Sequence, residues 1–222
     1  MNLEQLTQQF RVDAGDLTEP YLWESEWIAG WFAEAVSEAA IRGRLLMEAD
    51  NPLVCQIAVA IGQTVYPLHA ALYELVNIRF KPTGATRSEE LYLTTREELD
   101  RLRPGWRDDT GRVEFAIQDD TRIRLVHAPE TTGTLYLEGY RIPLKAMVND
   151  TDKPEINGAH HQHLVHWALH RAFSRPDAET IDPSRAAQAE ARFTAYFGPR
   201  PDSDLRRATR HDDPQTTKVF WA

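Results

Sequence analysis

The rhythm of apolar and polar positions changes twice along the chain. Through residues 1–50 it is helical. Ile28, Trp31, Phe32, Ala35, Ala39 and Leu46 fall on one stripe, with Glu34, Glu38 and Glu48 on the opposite side. This spacing predicts an amphipathic helix of about 25 residues that ends at the turn signal Asp50-Asn51-Pro52. A shorter helix is expected before it, around Leu3–Phe10.

Through residues 52–146 the period drops to two. Cys55, Ile57, Val59 and Ile61 line one face of an expected strand, and Gly62-Gln63 reads as a tight hairpin loop into Val65–Leu68. Val76, Ile78 and Phe80 alternate with Asn77, Arg79 and Lys81, and Val113, Phe115 and Ile117 continue the pattern. Strands are also expected at Arg122–Val126 and Thr134–Ile142, with a short helix at Arg96–Leu102 whose Thr95 and Glu98 have capping-box spacing. Alternation of this kind suits an antiparallel sheet or small sandwich with one wet face.

Helical spacing returns at 152–198. Asn157 reads as an N-cap, Ser174-Arg175-Pro176 as a stop, and Asp182-Pro183 as cap and first turn of a last helix. That helix is expected to bury Ala186, Ala189, Phe193 and Phe197 and to end at Gly198-Pro199. The expected fold is α+β. Segments 1–50 and 152–198 form a discontinuous helical bundle, 52–146 is an inserted antiparallel β domain, and 199–222 is an extended C-terminal arm.

The formal net charge of −9 argues against a protein that grips nucleic acid through a basic face, because lysine and arginine drive that affinity by releasing counterions. It is compatible with a protein past which DNA slides. The single cysteine, Cys55, excludes an internal disulfide, and within LVCQIAVAI it reads as a small buried hydrophobe. The opening MNLEQLTQQF has neither the basic nor the apolar region of a signal peptide, and no apolar run approaches a membrane span. The expectation is a soluble protein made in a reducing compartment.

Candidate chemistry concentrates in one place. Five of the eight histidines, at positions 160, 161, 163, 166 and 170, lie within eleven consecutive residues. On a helical wheel His163, His166 and His170 fall within about 60°, with His160 and Trp167 at the edge of the stripe. Leu164, Val165, Ala168, Leu169, Ala172 and Phe173 take the other face. His166 and His170 have the i, i+4 spacing of a shared zinc ion, but Trp167 stands where a metalloprotease needs glutamate. No acid lies between Asn157 and Ser174, and a closed zinc site often draws on thiolates.

The stripe is therefore expected to be a surface or subunit contact. No phosphate loop, nucleophile elbow or dinucleotide fingerprint occurs, so no catalytic group, metal or cofactor is expected. Trp31 belongs to the core stripe, whereas Trp23 and Trp27 are open between core and subunit contact. The tail closes on Val219-Phe220-Trp221-Ala222, read as an arm that docks its aromatic end in a partner's groove.

Several segments also occur in a telling order. YLWESEWIAGWFAEAVSEAAIRGRLLMEAD stands at 21–50, VCQIAVAIGQTVYPL at 54–68, ELDRLRPGW at 98–106 and RIRLVHAPE at 122–130. PEINGAHHQHLVHWALHRAFSRPDAET follows at 154–180, and FTAYFG ends the last helix at 193–198. Together they resemble the head-to-tail adaptor (neck, or head completion) proteins of tailed bacteriophages, including the tubular type of short-tailed phages. One departure is Glu24-Ser25-Glu26, which shifts the Ser/Thr cap and following acids that commonly open that family's helix.

The resemblance implies a structural virion protein that turns nothing over. Such adaptors form a homo-oligomeric ring, usually of twelve copies, that docks under the portal protein and extends the DNA channel. The ring presents a platform for the tail nozzle or next neck protein. Double-stranded DNA would pass without specific binding, no membrane would be involved, and the protein would sit at the virion neck after synthesis in the host bacterial cytoplasm. The C-terminal segment would reach the portal, which makes Val219, Phe220 and Trp221 the portal-binding candidates. Trp23, Trp27, His163, His166, Trp167 and His170 are the subunit-contact candidates. The alternative from the residues is a metal-dependent hydrolase carried in the tail, using the histidine-rich helix; a host interaction module outside any virion is a third reading.

Overall fold

The computed structural model describes residues 1–109, 111–176 and 181–201, and among them the fold is mixed α+β with six α-helices and two sheets. The helices are α1 (Leu3–Ala14), α2 (Ser25–Gly43), α3 (Pro52–Cys55), α4 (Arg96–Leu102), α5 (Leu164–Phe173) and α6 (Pro183–Phe197). The strands are β1 (Met47–Glu48), β2 (Gln56–Val59), β3 (Val65–Pro67), β4 (Leu72–Pro82), β5 (Glu89–Glu90), β6 (Tyr92–Thr94), β7 (Phe115–Gln118), β8 (Arg122–Val126) and β9 (Gly133–Arg141). The chain divides into a helical unit, Met1–Met47 with Arg141–Arg200, and a β unit, Glu48–Tyr140.

In the helical unit, side chains cap the starts of α1, of the 3₁₀ segment before α5 and of α6. Asn2 accepts from the Gln5 N–H while the Gln5 side chain accepts from the Asn2 N–H, a closed capping box on α1. Gly15 ends α1 in the left-handed region, φ 82°, as glycine does without strain. Helix α2 is 19 residues long, shorter than its apolar stripe suggests. Arg44 turns left-handed, φ 49°, so Leu45 and Leu46 lie past the helix end yet pack against the same core, which is why the stripe seemed to continue.

A 3₁₀ segment at Gly158–His163, capped by Asn157, precedes α5. Asp182 caps α6 by accepting from the Arg185 N–H, with Pro183 in the first turn. The shared core includes Leu6, Phe10, Ile28, Phe32, Leu164, Trp167, Ala168 and Ala172, and α6 closes it with Ala186, Ala189, Phe193 and Phe197.

In the β unit, β9 lies between β2 and β4, and β5 lies beyond β4. A second sheet runs β3-β8-β7-β6. The expected hairpin at Gly62-Gln63 does not form. β2 pairs antiparallel with β9, Gln56 opposite Tyr136, whereas β3 pairs with β8 in the other sheet. The Tyr66 hydroxyl holds the crossing segment by donating to the Gln63 carbonyl oxygen at 2.8 Å. Cys55 ends the short helix α3 rather than lining a strand, though it is buried, and Ile61 is exposed. The antiparallel expectation also needs correction, because β6 and β7 run parallel with Tyr92 opposite Phe115.

Other local signals are realised: α4 and β8 have the expected bounds, and Thr95 accepts from the Glu98 N–H. Gly139 marks a close approach of β9 to β4, since a methyl group there would come within 2.5 Å of the Glu74 carbonyl oxygen.

Two substitutions test these cores. Phe193→Ala is expected to destabilise the helical unit by about 3–5 kcal/mol, and Gly139→Ala the β unit by about 1–3 kcal/mol. Both should appear as lower urea midpoints, and an unchanged midpoint for Gly139→Ala would contradict the close β4–β9 approach.

Candidate functional site

The histidine cluster is built by two kinds of helix in succession. The 3₁₀ segment has three residues per turn, so His160 and His163 come round to the same side, and α5 then carries His166 and His170. Helix α6 receives them. The His163 ring stacks on Tyr196 with centroids 3.5 Å apart and planes 14° apart, and His160 Nδ1 lies 3.1 Å from the Tyr196 hydroxyl. His170 Nδ1 is 3.1 Å from the Ala186 carbonyl oxygen, a contact that requires the Nδ1–H tautomer. Through these contacts His160 and His163 of the 3₁₀ segment and His170 of α5 engage α6.

His166 sits differently. It lines a surface cleft of about 250 Å³ with Asp13, Arg185 and Arg192, and its Nδ1 is buried without a hydrogen-bond partner among the described residues. Burial pushes its pKa below the usual imidazole range, helped by repulsion from His163 and Arg192 and opposed by Asp13. Burial likewise lowers His163, with His160 adding to the effect. Among the described residues no three His, Cys, Asp or Glu side chains are grouped so as to hold a metal ion.

The tryptophans separate into two roles. Trp23, open between core and subunit contact, and Trp167, a subunit-contact candidate, are both core residues, 2% and 1% exposed. Trp23 packs edge-on against Phe10 and Phe173 at 5.6 and 5.7 Å. Trp167 lies 5.1 Å from Phe193 and under the Arg42 guanidinium. Helical spacing had put Trp167 at the edge of the polar stripe, but α6 covers that edge.

Trp27 stays on the surface, 38% exposed, with Arg175 stacked over its ring at 3.8 Å. His163, His166 and His170 are partly exposed. Val219, Phe220 and Trp221 lie outside the described residues.

Two features escaped the sequence reading. His161 is buried, its Nε2–H donating to the Ile156 carbonyl oxygen at 3.0 Å and its Nδ1 accepting from the Met1 amino group at 2.8 Å. Only its placement off the stripe hinted at this. The second is the loop that joins α1 to α2. Arg11 and Asp16 form a buried ion pair at 2.6 Å. Asp16 also accepts from the Leu22 N–H, and Arg11 donates to the Trp23 carbonyl oxygen and the Ser25 hydroxyl. With Arg11 further stacked on Tyr21 at 3.7 Å, the loop is braced from within. It presents Leu17, Tyr21 and Leu22 to solvent. Its signal in the sequence was the run of large apolar residues in DLTEPYLW, outside either helical period.

A protein-family model described as SU10 adaptor protein matches residues 1–217 of the chain. No curated protein matches it.

The lowered imidazoles give the helical unit a pH dependence of known sign. With folded values below the ordinary histidine value of about 6.5, the unfolded chain takes up protons first as pH falls. This contribution to stability is complete above that value and is lost as pH falls towards the folded values. Urea midpoints at pH 7.5 and 5.5 should show lower stability at pH 5.5, and His163→Gln with His166→Gln should flatten the slope. An unchanged slope in the double variant would contradict the assignment.

Proposed function

The chain belongs to the SU10 adaptor protein family, a phage head–tail adaptor family, and we propose that it forms the ring that joins the portal to the tail. The family is one of structural virion proteins of the neck, which associate with portal and tail components and with themselves. In the proposed arrangement, copies of this chain close into a ring, twelve by the family resemblance. The ring docks under the portal, extends the DNA channel and gives the next tail protein its platform. The observation that carries the proposal is the family match across residues 1–217.

Physical considerations support the reading. A cyclic head-to-tail assembly needs two different faces on each copy that fit one another. Trp27, His163, His166 and His170 keep part of their surface exposed on the helical unit and are the side chains we assign to such contacts, whereas Trp23 and Trp167 are buried. The net charge of −9 on each copy is repeated around a ring and disfavours adhesion of passing phosphates. On this reading the β domain, 52–146, is an insertion in a discontinuous bundle made by 1–50 and 152–198. The arm, 199–222, engages the portal through Val219, Phe220 and Trp221.

Purified protein mixed with portal particles should sediment with them and appear as a ring beneath the portal in negative-stain averages. Absence of association across salt concentrations would overturn the proposal. Removing residues 214–222 should weaken binding at least about tenfold, a change of roughly 1.4 kcal/mol, with the circular dichroism of the fold preserved. Equal binding by the truncated protein would remove the arm from the mechanism.

A further inference from the structure

Two surfaces of this molecule complement each other in charge, and they lie on different units. The first is the α1–α2 loop with the start of α2. Its backbone is fixed by the Arg11–Asp16 pair, and it exposes Leu17, Tyr21, Leu22 and Trp27 within eleven consecutive residues. The same stretch carries Glu19, Glu24 and Glu26, all exposed and, among the described residues, without an ion-pair partner.

The second is a hollow of about 450 Å³ on the β unit. The alternation of β4 sends Ile78 and Phe80 into the core and leaves Arg79 and Lys81 together on the other face. Tyr136 of β9 and Thr86, Arg87 and Ser88 from the β4–β5 connection complete the lining. Arg79 is committed to Glu138 at 2.9 Å, whereas Lys81 and Arg87 have no ion-pair partner among the described residues.

We propose that the loop of one copy, residues 17–27, docks into the Lys81–Arg87 hollow of a second copy. This rests on the ring reading above and specifies the faces that meet. Unpaired carboxylates face unpaired cations and three hydroxyl groups, which fixes orientation and accelerates encounter. The exposed aromatic and leucine side chains supply anchors, and a loop already braced by buried bonds loses little freedom on docking. A two-fold contact of loop against loop would set glutamates against glutamates, so the charges favour a head-to-tail contact. A phosphate backbone fits the hollow less well, because Glu138 stands beside it and the chain carries −9 overall.

Disulfide trapping tests this. A chain with Leu22→Cys and Arg87→Cys, assembled on portal particles and mildly oxidised, should give a ladder of multiples on a non-reducing gel, and either single variant should give none. Negative-stain images of the same samples keep two failures apart: rings without a ladder overturn the docking faces alone, whereas absence of rings removes the ring reading and this contact with it. A charge exchange provides the second readout. Lys81→Glu with Arg87→Glu should reduce ring formation at least about tenfold, as should Glu24→Lys with Glu26→Lys, and combining the four should restore it. Lost duplex-DNA retention in the Lys81→Glu, Arg87→Glu variant with rings intact would instead assign the hollow to nucleic acid and overturn the proposal.

Discussion

Burial of α5 against helices from both segments of the helical unit is the interaction on which that unit depends. Leu164, Trp167, Ala168 and Ala172 are all 1% exposed or less, and they share one core with Phe10 of α1, Phe32 of α2 and Phe193 of α6. A buried side chain of leucine or phenylalanine size stabilises by about 1.5–3 kcal/mol. A ten-residue helix alone is too short to be stable in water, so α5 exists because its neighbours enclose it. The chain must bring residues 3–43 and 164–197 together before any surface of this unit has a fixed shape.

Enclosure on several sides also governs the polar groups of α5 and of the 3₁₀ segment that leads into it. A histidine beside a packed helix either finds a partner there or stays neutral. His170 meets a backbone carbonyl oxygen and His163 meets the face of Tyr196. His166, with a buried and unpartnered nitrogen, has its charged form disfavoured. In the cluster that first suggests metal chemistry, three of the five histidines, His160, His163 and His170, make contacts to α6.

The Arg11–Asp16 pair does comparable work for the surface. Two buried charges are tolerated only when nearly every lone pair and proton is engaged. Here the bonds to Leu22, Trp23 and Ser25 meet that demand. Satisfying them sends Trp23 inward and leaves Tyr21 and Leu22 outward. The result is an exposed apolar stretch on an acidic chain, held in place by buried polar bonds.

The sequence by itself determined the local elements and much of the family likeness. Thr95 and Asp182 cap where expected, β8 runs from Arg122 to Val126, and α6 buries its four predicted residues. These follow from backbone chemistry within a few residues. Only the tertiary structure decided that α2 stops at Gly43, that β2 and β3 join different sheets, and that Trp23 and Trp167 lie inside. Periodicity assigns each residue to a side of its own helix or strand. Which sides are covered depends on partners far along the chain, such as α6 over Trp167 or β9 beside β2, and that information is not local.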